Sequence, residues 1–315
     1  MDRIKVNFTD FWPSFRVRDN YFFNLLSKYF QLEISDEPDI LFFSNYGYRH
    51  LSYSCHKIQF FGENIRPDFR IADYVLSFDY LDHPRHLRFP LYVLYFDNEY
   101  TVDKLVRKKS ADEIEALMQR KKKFCCFIVS NPKSDTRIDF FHKLSTYKKV
   151  DSGGRVLNNI GKQVADKLSF VNEYKFIIAF ENSSHPGYTT EKVLEPMQVN
   201  TVPIYWGNPV INQEMNTKSF INYHDYNSFD ALMERIIEID NDDNLYKQYL
   251  EECLFNDHQP NEYFSEERLV SFFKGVVEAL DEKPVSATLN YKRVKAGLLL
   301  GNYQRKIKQK LHDWL

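Results

Sequence analysis

The feature that most constrains this sequence is a strand–loop–helix–strand pattern in its second half. The apolar, aromatic run at residues 175–180 has the length and composition of a buried parallel strand. Polar, proline and glycine residues interrupt it at 181–187, and Thr189 or Thr190 can cap a following helix. A second short apolar run follows at 202–205. The pattern predicts a βαβ unit whose first loop binds an anionic ligand, because that loop joins a strand's carboxyl end to a helix N-terminus.

The residue types of this loop suit a phosphate that lies beside sugar hydroxyls. Lys192 offers a point charge and Tyr188 a hydroxyl, and both suit phosphate oxygens. Glu191 would repel a phosphate but can accept hydrogen bonds from vicinal hydroxyls, as an acidic residue does on a ribose. These residues therefore indicate a nucleotide sugar. The alternative is an ordinary surface helix start with an adjacent Glu–Lys pair.

The same region carries the signature of a known family. Residues 180–192 are Phe-Glu-Asn-Ser-Ser-His-Pro-Gly-Tyr-Thr-Thr-Glu-Lys, and residues 202–209 are Val-Pro-Ile-Tyr-Trp-Gly-Asn-Pro. This combination resembles the α1,3/α1,4-fucosyltransferases of glycosyltransferase family 10, above all the bacterial members. Further blocks at 60–69, at 127–132 with Arg137, and at 150–159 also resemble the family.

The resemblance implies a fold and a reaction. The expected fold is α/β of the GT-B type, with two Rossmann-like domains facing across a cleft. The expected reaction is an inverting transfer of L-fucose from GDP-β-L-fucose to a GlcNAc or Glc hydroxyl, in α1,3 linkage, as in Lewis-type glycans. N-acetyllactosamine, lactose or a type 1 chain would be the acceptor. The alternatives are α1,4 or dual specificity, another nucleotide sugar, or an inactive nucleotide-sugar-binding module.

Glu63 is the candidate catalytic residue. It follows an apolar strand through Gly62, so its carboxylate is expected on a strand-end loop. Inverting glycosyl transfer needs a base that takes the proton of the acceptor hydroxyl. The resemblance implies that Glu63, in the Gly-Glu-Asn block, is that base. The alternative is that Glu63 and Asn64 cap a turn before Pro67.

Arg137 is the second candidate cation, near the start of a predicted helix, where the helix dipole and a guanidinium fork favour phosphate. The resemblance implies that Arg137 and Lys192 neutralise the diphosphate of the GDP leaving group. The other donor contacts that it implies are Tyr188 on the phosphates, Glu191 on the ribose, Asn182 and Glu181 near the phosphate or fucose, and Gly153 and Gly154 as a loop close to the ligand. An exposed helix arginine and an ordinary turn are the alternatives for Arg137 and the two glycines.

The sequence indicates no obligatory metal or cofactor. The Asp-x-Asp string Asp240-Asn-Asp242 is predicted to be a solvated helix end rather than a metal site. Arg137 and Lys192 already supply positive charge, while stimulation by Mn²⁺ is compatible with the family. The cysteines lack metal spacing, which is typical of core residues in a reducing compartment; they are Cys55, Cys125, Cys126 and Cys253.

A length of 315 residues predicts two domains. Strands predicted at 4–8, 39–43, 56–61 and 73–78, with helices at 17–30 and 102–123, form an acceptor-binding domain over 1–123. The helix at 102–123 ends in lysines that are predicted to be solvated. A donor-binding domain over 124–280 begins with a strand at 124–129. Acceptor contacts are predicted from the loop after the first strand, at Trp12, Phe15 and Arg16. The net charge of −2 argues against nucleic-acid binding.

The C-terminal tail, residues 281–315, is predicted to be a basic amphipathic helix. Residues 287–315 contain seven Lys or Arg against one acidic residue. Apolar or amphipathic side chains recur at helical spacing, at Leu300, Tyr303 or Gln304, Ile307, Leu311 and Trp314. The pattern predicts peripheral attachment to an anionic membrane surface, and packing on the protein's own domains is the alternative. With no signal anchor visible, the expected location is cytoplasmic, on the inner face of a bacterial plasma membrane.

Overall fold

Short apolar runs of the sequence form two fully parallel sheets. The structure, a computed structural model, describes residues 3–96 and 101–312, and the side chains of these residues up to 305. Among them, the residues up to Phe89 and those from Ser265 onward form a first compact unit. The residues between Pro90 and Phe264 form the second unit. Each unit contains one of the two sheets.

The sheet of the first unit has the strand order β2-β1-β3-β4-β5-β6. Its strands are β1 Ile4–Thr9, β2 Leu32–Ile34, β3 Ile40–Phe43, β4 His56–Phe60, β5 Tyr74–Ser77 and β6 His86–Arg88. All neighbours pair in parallel. Every residue of β3 and β4 is buried, as expected for central strands that are covered on both faces. The order reverses between β1 and β3, so the loops after these two strands lie at a topological switch point, where ligands bind in such sheets.

The sheet of the second unit has the order β11-β10-β9-β7-β8, also with parallel neighbours. Its strands are β7 Lys123–Phe127, β8 Val150–Ser152, β9 Tyr174–Phe180, β10 Val202–Trp206 and β11 Ile221–Asn222. The order reverses between β7 and β9. The loops after β7 and β9 therefore form the switch point of the second unit.

The helices of the described residues pack mainly through aromatic and aliphatic side chains. They are α1 Tyr21–Leu26, α2 Asp103–Val106, α3 Ala111–Arg120, α4 Asp135–Ser145, α5 Lys167–Val171, α6 Glu191–Met197, α7 Phe229–Asn241, α8 Asp243–Glu251, α9 Glu266–Glu278 and α10 Leu289–His312. In the second unit, Phe140 of α4 stacks on Phe180 of β9 with ring centroids 4.8 Å apart. In the first unit, Phe273 of α9 lies 5.0 Å from Phe30 and 6.0 Å from Phe42. Within the described chain, no helix combines the length and the apolar character needed to span a bilayer.

The predicted strands at 4–8, 39–43, 56–61, 73–78 and 124–129 are confirmed, because β1, β3, β4, β5 and β7 lie within two residues of those bounds. The predicted helices are shorter in the structure. The helix predicted over 17–30 is limited to α1, and the one predicted over 102–123 is two helices, α2 and α3. They are separate because Arg107 is extended and a capping box of Ser110 and Glu113 starts α3.

Lys121 differs from the predicted solvated helix end. Its Nζ donates to Thr201 Oγ1 at 2.7 Å and to the carbonyl of Asn172 at 3.1 Å. Burial lowers the pKa of Lys121 to about 7. The interpretation of Lys121 as solvated is therefore wrong. Its methylene chain passes the end of α3, and its Nζ reaches acceptors just before the strands β9 and β10.

The compact units differ from the predicted domains over 1–123 and 124–280. The chain leaves the first unit after Phe89 and returns to it at Ser265, so α2 and α3 belong to the second unit and α9 to the first. The backbone N–H of Leu254 donates to the carbonyl of Leu105 at 3.0 Å, which ties α2 to the second unit. The tail predicted over 281–315 begins within the first unit, where His56 Nε2 lies 3.1 Å from the carbonyl of Glu282. Its predicted positions Ile307, Leu311 and Trp314 lie outside the described side chains.

Gly154 gives a direct test of packing in the second unit. A Cβ at Gly154 would lie 2.2 Å from the carbonyl oxygen of Val129. We expect Gly154→Ala to lower the free energy of unfolding by about 2 kcal/mol, because rigid backbone must shift. In the matched control Gly275→Ala, the Cβ meets no atom within 4 Å of its helical site in α9. That variant should gain about 0.5–1 kcal/mol. Urea unfolding of both variants checks this, and similar shifts of one sign would contradict it.

The burial of Lys57 makes the free energy of unfolding depend on pH. Lys57 is fully buried in β4, its Nζ lies 4.8 Å from the ring centroid of Tyr291 in α10, and burial lowers the pKa of Lys57 to about 8. The folded state holds this proton less tightly than the unfolded state, so stability is reduced below pH 8 and rises between about pH 8 and about pH 10.5. We expect Lys57→Met to stabilise the protein at pH 7 by up to about 3 kcal/mol, with an advantage that shrinks as the pH rises through that window. Urea unfolding at several pH values checks this, with Lys5→Met, at an exposed position of β1, as control. A constant difference between Lys57→Met and the unmodified chain would contradict it.

Candidate active site

Arg137 is a buried cation at the switch point of the second unit. It lies in the first turn of α4, after β7, and it is 2% exposed. Its Nη1 donates to Oδ1 of Asn182, in the loop after β9, and its Nη2 donates to the carbonyl of Asn131, both at 2.8 Å. Burial lowers the pKa of Arg137, while Glu181 and Tyr188 raise it. The exposed-arginine interpretation is therefore wrong, because the guanidinium bridges the loops after β7 and β9.

Glu181 is a buried carboxylate directly after β9. Its Oε1 accepts from the backbone N–H of Thr190 at 2.7 Å, and its Oε2 accepts from Thr190 Oγ1 at 2.8 Å and from Lys192 Nζ at 3.0 Å. Burial raises the pKa of Glu181, and the charge of Lys192 opposes that effect. Gly207 makes room for the carboxylate, because a Cβ there would lie 2.4 Å from Glu181 Cγ. Glu181 therefore holds the start of α6, and its predicted position near the phosphate or fucose stays a prediction.

Lys192 is held between two carboxylates. Burial lowers the pKa of Lys192, whereas the charges of Glu181 and Glu191 raise it. The net shift is upward, so the side chain stays cationic. Glu191 Oε1 lies 3.4 Å from its Nζ. The Lys192 side chain is 22% exposed, so part of it is accessible to a ligand.

Glu191 has a partner that the sequence did not indicate. Burial raises the pKa of Glu191, whereas the charges of Lys192 and Lys167 lower it. The net shift is downward, so the group is a carboxylate. Tyr95 lies near this carboxylate, because the pKa of Tyr95 is raised by burial and by the charge of Glu191. Tyr188 is buried, and its phenol raises the pKa of Arg137 and of Lys192.

Asn208, which sequence reasoning missed, fixes the loop that leads into α6. It is fully buried after β10, and its Oδ1 accepts from the backbone N–H groups of Gly187 at 2.8 Å and of Val210 at 3.0 Å. Its Nδ2 donates to Thr189 Oγ1 at 3.1 Å and to Glu214 Oε1 at 3.0 Å. Both polar atoms of the amide are thus satisfied. In the sequence, the Gly-Asn-Pro string directly after β10 could have indicated this residue.

Gly153 and Gly154 lie after β8, where close backbone approach was predicted. The approach occurs within the protein: a Cβ at Gly153 would lie 2.3 Å from Val164 Cγ2, and one at Gly154 would meet the backbone of Val129. These contacts explain both glycines by packing, in agreement with the alternative of an ordinary turn. The role predicted for them beside a ligand stays a prediction.

Glu63 lies in the first unit, on the loop after β4. Its Oε1 accepts from the hydroxyl of Tyr46 at 3.0 Å, and the backbone N–H of Gly62 lies 3.4 Å from Asn45 Oδ1. Tyr46 and Asn45 belong to the loop after β3. Burial and the charge of Glu63 raise the pKa of Tyr46, so the phenol stays protonated and donates. The partner Tyr46 was not predicted from the sequence.

Two of the three predicted acceptor contacts form an aromatic cluster on the loop after β1. The ring centroid of Trp12 lies 6.5 Å from that of Tyr46 and 5.2 Å from that of Phe15. Phe15 stacks on Phe11 at 4.0 Å. Arg16 is exposed and pairs with Asp19 at 3.3 Å. The structure therefore places Trp12 beside the Glu63–Tyr46 pair and directs Arg16 to a local ion pair.

Asp240 corrects the interpretation of the Asp-x-Asp string. Its side chain is 4% exposed, it accepts from Lys175 Nζ at 2.9 Å, and it forms a second ion pair with Lys148. The prediction of a solvated helix end is wrong for Asp240, which has a structural role, whereas Asn241 and Asp242 are exposed. Among residues 3–96 and 101–312, no three His, Cys, Asp or Glu side chains form a group that could hold a metal ion.

Two parallel, Rossmann-like sheets with polar groups at their switch points define a glycosyltransferase of the GT-B type, and the comparisons with known proteins agree. Residues 6–95 match the model of the α-(1,3)-fucosyltransferase FucT N-terminal domain, and residues 118–270 match that of the glycosyltransferase family 10 (fucosyltransferase) C-terminal region. The chain is 30% identical to the α-(1,3)-fucosyltransferase FucT of Helicobacter pylori, over 87% of this chain and 66% of that protein.

Solved structures extend the similarity to most of the chain. A crystal structure of an α1,3-fucosyltransferase matches with a TM-score of 0.77 and 28% identity, over 91% of this chain and 92% of that one. A structure of an α1,3-fucosyltransferase with GDP-fucose matches with a TM-score of 0.73 and 27% identity, over 88% and 90% of the two chains. The chain belongs to glycosyltransferase family 10, the fucosyltransferases. It spans 66% of the length of the Helicobacter pylori relative.

The contact between Glu181 and Lys192 predicts a large loss of stability on neutralisation. Glu181→Gln keeps the shape of the side chain but leaves Lys192 without its main counter-charge in a buried site. We expect the free energy of unfolding to fall by about 3 kcal/mol. The matched control is Glu238→Gln, which breaks an exposed pair with Arg235 and should cost at most about 0.5 kcal/mol. Urea unfolding of both variants checks this, and equal losses would contradict the assigned role of Glu181.

Proposed function

We propose that the protein is an inverting α1,3-fucosyltransferase. It would transfer L-fucose from GDP-β-L-fucose to a GlcNAc or Glc hydroxyl of a lactosamine-type acceptor. The observation that carries this proposal is the pair of cations, Arg137 and Lys192, at the switch point of the second unit. The similarity to the α1,3-fucosyltransferase structure with GDP-fucose supports the choice of donor.

The two cations suit a diphosphate leaving group. Arg137 is fixed by Asn182 and Asn131, and Lys192 is fixed by Glu181 and Thr190. Neither cation needs to reorganise when negative charge develops on GDP, which is the condition for strong electrostatic stabilisation. The proposed diphosphate would therefore lie against the accessible part of Lys192, with Arg137 and Tyr188 behind it. This charge arrangement needs no metal ion.

Glu191 is proposed to bind the ribose. The pKa of this carboxylate is lowered by Lys192 and Lys167 in spite of burial. An ionised carboxylate has several acceptor positions, so it can accept from vicinal hydroxyls while it keeps these partners. Discrimination of ribose from deoxyribose would follow from these acceptor contacts.

Glu63 is proposed as the catalytic base. Tyr46 donates to Oε1, and within the described residues no group donates to Oε2, which is left to accept a proton. In the reaction, Oε2 of Glu63 takes the proton of the acceptor hydroxyl. At the same time, the oxygen of that hydroxyl bonds to the anomeric carbon of fucose. The bond from that carbon to GDP breaks on the opposite face, so the configuration inverts.

The C-terminal helix supports the proposal of a membrane location. Leu299, Leu300 and Tyr303 of α10 are exposed, and so are Lys292 and Arg293. Apolar and basic side chains together favour an anionic membrane surface. Attachment on the inner face of the bacterial plasma membrane stays a proposal.

The test of the activity is GDP release from GDP-fucose with N-acetyllactosamine, lactose and a type 1 chain offered separately. Acceptor-dependent release is expected, and product analysis then distinguishes α1,3 from α1,4 linkage. Competition by GDP but not by UDP would exclude a UDP-sugar as the donor. Absence of GDP binding would overturn the proposed function, whereas binding without acceptor-dependent release would overturn only the acceptor.

Glu63→Gln separates catalysis from donor binding. It keeps an oxygen that can accept from Tyr46 but cannot take a proton. We expect kcat to fall by about 10²–10⁴-fold with the affinity for GDP unchanged. The control Glu37→Gln neutralises an exposed carboxylate on the loop after β2 and should leave kcat unchanged. Unchanged kcat in Glu63→Gln would refute the assignment of the base.

A further inference from the structure

An open pocket of about 570 Å³ lies beside Glu63 at the switch point of the first unit. Its lining residues come from the loop after β3 and from α10: Asn45, Tyr46, Gly47, Tyr48, Arg49, Asn302 and Arg305. Tyr46 joins the pocket to the proposed base, because its ring lines the pocket and its hydroxyl donates to Glu63. A ligand in this pocket would therefore be separated from Glu63 by one side chain. None of the residues assigned to the donor lines it.

The wall of the pocket is held in place by Asp10, at the end of β1. Asp10 Oδ1 accepts from the backbone N–H of Arg49 at 3.0 Å, and Oδ2 accepts from that of His50 at 2.8 Å. The Asp10 carbonyl accepts from the N–H of Tyr46 at 2.9 Å. Gly47 is required for this approach, because a Cβ there would lie 2.3 Å from Asp10 Oδ1. The loop is thus fixed by three backbone hydrogen bonds, as suits a preformed binding surface.

The pocket carries two positive charges and no lining carboxylate. Among the side chains that the structure describes, neither Arg49 nor Arg305 pairs with an acidic residue. The Arg305 guanidinium lies 5.7 Å from the ring centroid of Tyr48 and contacts the Tyr48 hydroxyl, which holds it over the pocket. Asp10 lies beneath the lining loop, where its Oδ1 accepts from the backbone N–H of Arg49 and its Oδ2 is 2.7 Å from His50 Nδ1. Two guanidinium groups in such a setting favour a carboxylate or a phosphate.

The polar and aromatic groups around these charges suit a sugar. Tyr46 and Tyr48 offer ring faces, and Asn45 and Asn302 offer amide groups that can both donate and accept. A shallow, open shape with this lining is more typical of a saccharide site than of a site for a compact apolar ligand. The combination indicates a sugar that carries an anionic group.

We propose that this pocket is an acceptor subsite for an anionic group, a carboxylate or a phosphate, on the sugar next to the one that receives fucose. Arg49 and Arg305 bind the anion, and the tyrosine and asparagine side chains bind the sugar that carries it. The proposal rests on the proposed function of Glu63 as the base and adds a charge preference to it. It also gives the second half of α10, through Asn302 and Arg305, a direct role in acceptor choice.

The test compares kcat/KM for three disaccharide acceptors: N-acetyllactosamine, its analogue with galacturonic acid in place of galactose, which carries a carboxylate, and its 6′-phosphorylated form. We expect at least one anionic acceptor to be preferred about tenfold over the neutral one at low salt. That preference should decrease between about 20 mM and about 0.5 M salt, because the guanidinium groups are exposed. The preferred form identifies whether an acidic sugar or a phosphate supplies the anion.

The variants Arg49→Gln and Arg305→Gln should each bring the ratio of anionic to neutral kcat/KM close to one. Arg3→Gln removes the same charge from an exposed position before β1 that does not line the pocket, and it should leave the ratio unchanged. Equal kcat/KM for the three acceptors, or a preference that survives both variants, would overturn the subsite while leaving the transferase intact.

Binding measured without donor makes the test independent of turnover. Isothermal titration of the anionic disaccharides should show tighter binding than the neutral one, and Arg49→Gln and Arg305→Gln should weaken it about tenfold. If no acceptor is turned over but this pattern is found, the proposed transfer to these acceptors fails and the anion subsite holds. If the neutral acceptor is turned over and the pattern is absent, only the subsite fails.

Discussion

The contact on which the candidate donor site depends is the buried pair of Glu181 and Lys192. Two ions out of water are costly, and here the cost is offset because the carboxylate also accepts from Thr190. That hydrogen bond sets the first turn of α6, so one carboxylate orients both the helix and the lysine. The absence of a side chain at Gly207 makes the arrangement sterically feasible. The position of Lys192 therefore depends on three contacts of Glu181: its ion pair with Lys192, its hydrogen bond from Thr190 and its packing against Gly207.

The two parallel sheets use the same rule of topology for different chemistry. In the second unit, the switch point between β7 and β9 brings together Arg137 and Asn182, so a cation is buried there and held by hydrogen bonds to neutral groups. In the first unit, the switch point between β1 and β3 brings the Asp10 carboxylate under a loop that carries Tyr46 and Arg49. Cations held in fixed positions suit a fixed diphosphate. The pocket of the first unit instead carries the exposed Arg49 and Arg305, which pair with no acidic residue among the described side chains. Such groups suit acceptors that differ from one another.

The sequence was sufficient for elements whose pattern is local. The apolar runs of β1, β4 and β9 and the cap at Thr190 follow from periodicity and residue type alone. Contacts between distant segments were not accessible in that way. The bond from Tyr46 to Glu63 joins loops after two strands, and the return of α9 to Phe30 joins the first sheet to a segment far along the chain. Such pairings depend on tertiary register, which local pattern does not encode.

The errors at Lys121 and Asp240 have one physical origin. Both lie in charged segments at a helix end, where composition predicts solvation, and both are buried because a long lysine side chain completes the contact. A lysine can bury its methylene chain and still reach an acceptor, so charge alone does not report exposure. The same reasoning applies to Arg137, whose buried guanidinium crosses from α4 to Asn182. In this fold, the long cationic side chains connect segments that the backbone leaves apart, and the candidate donor site is one instance of that general device.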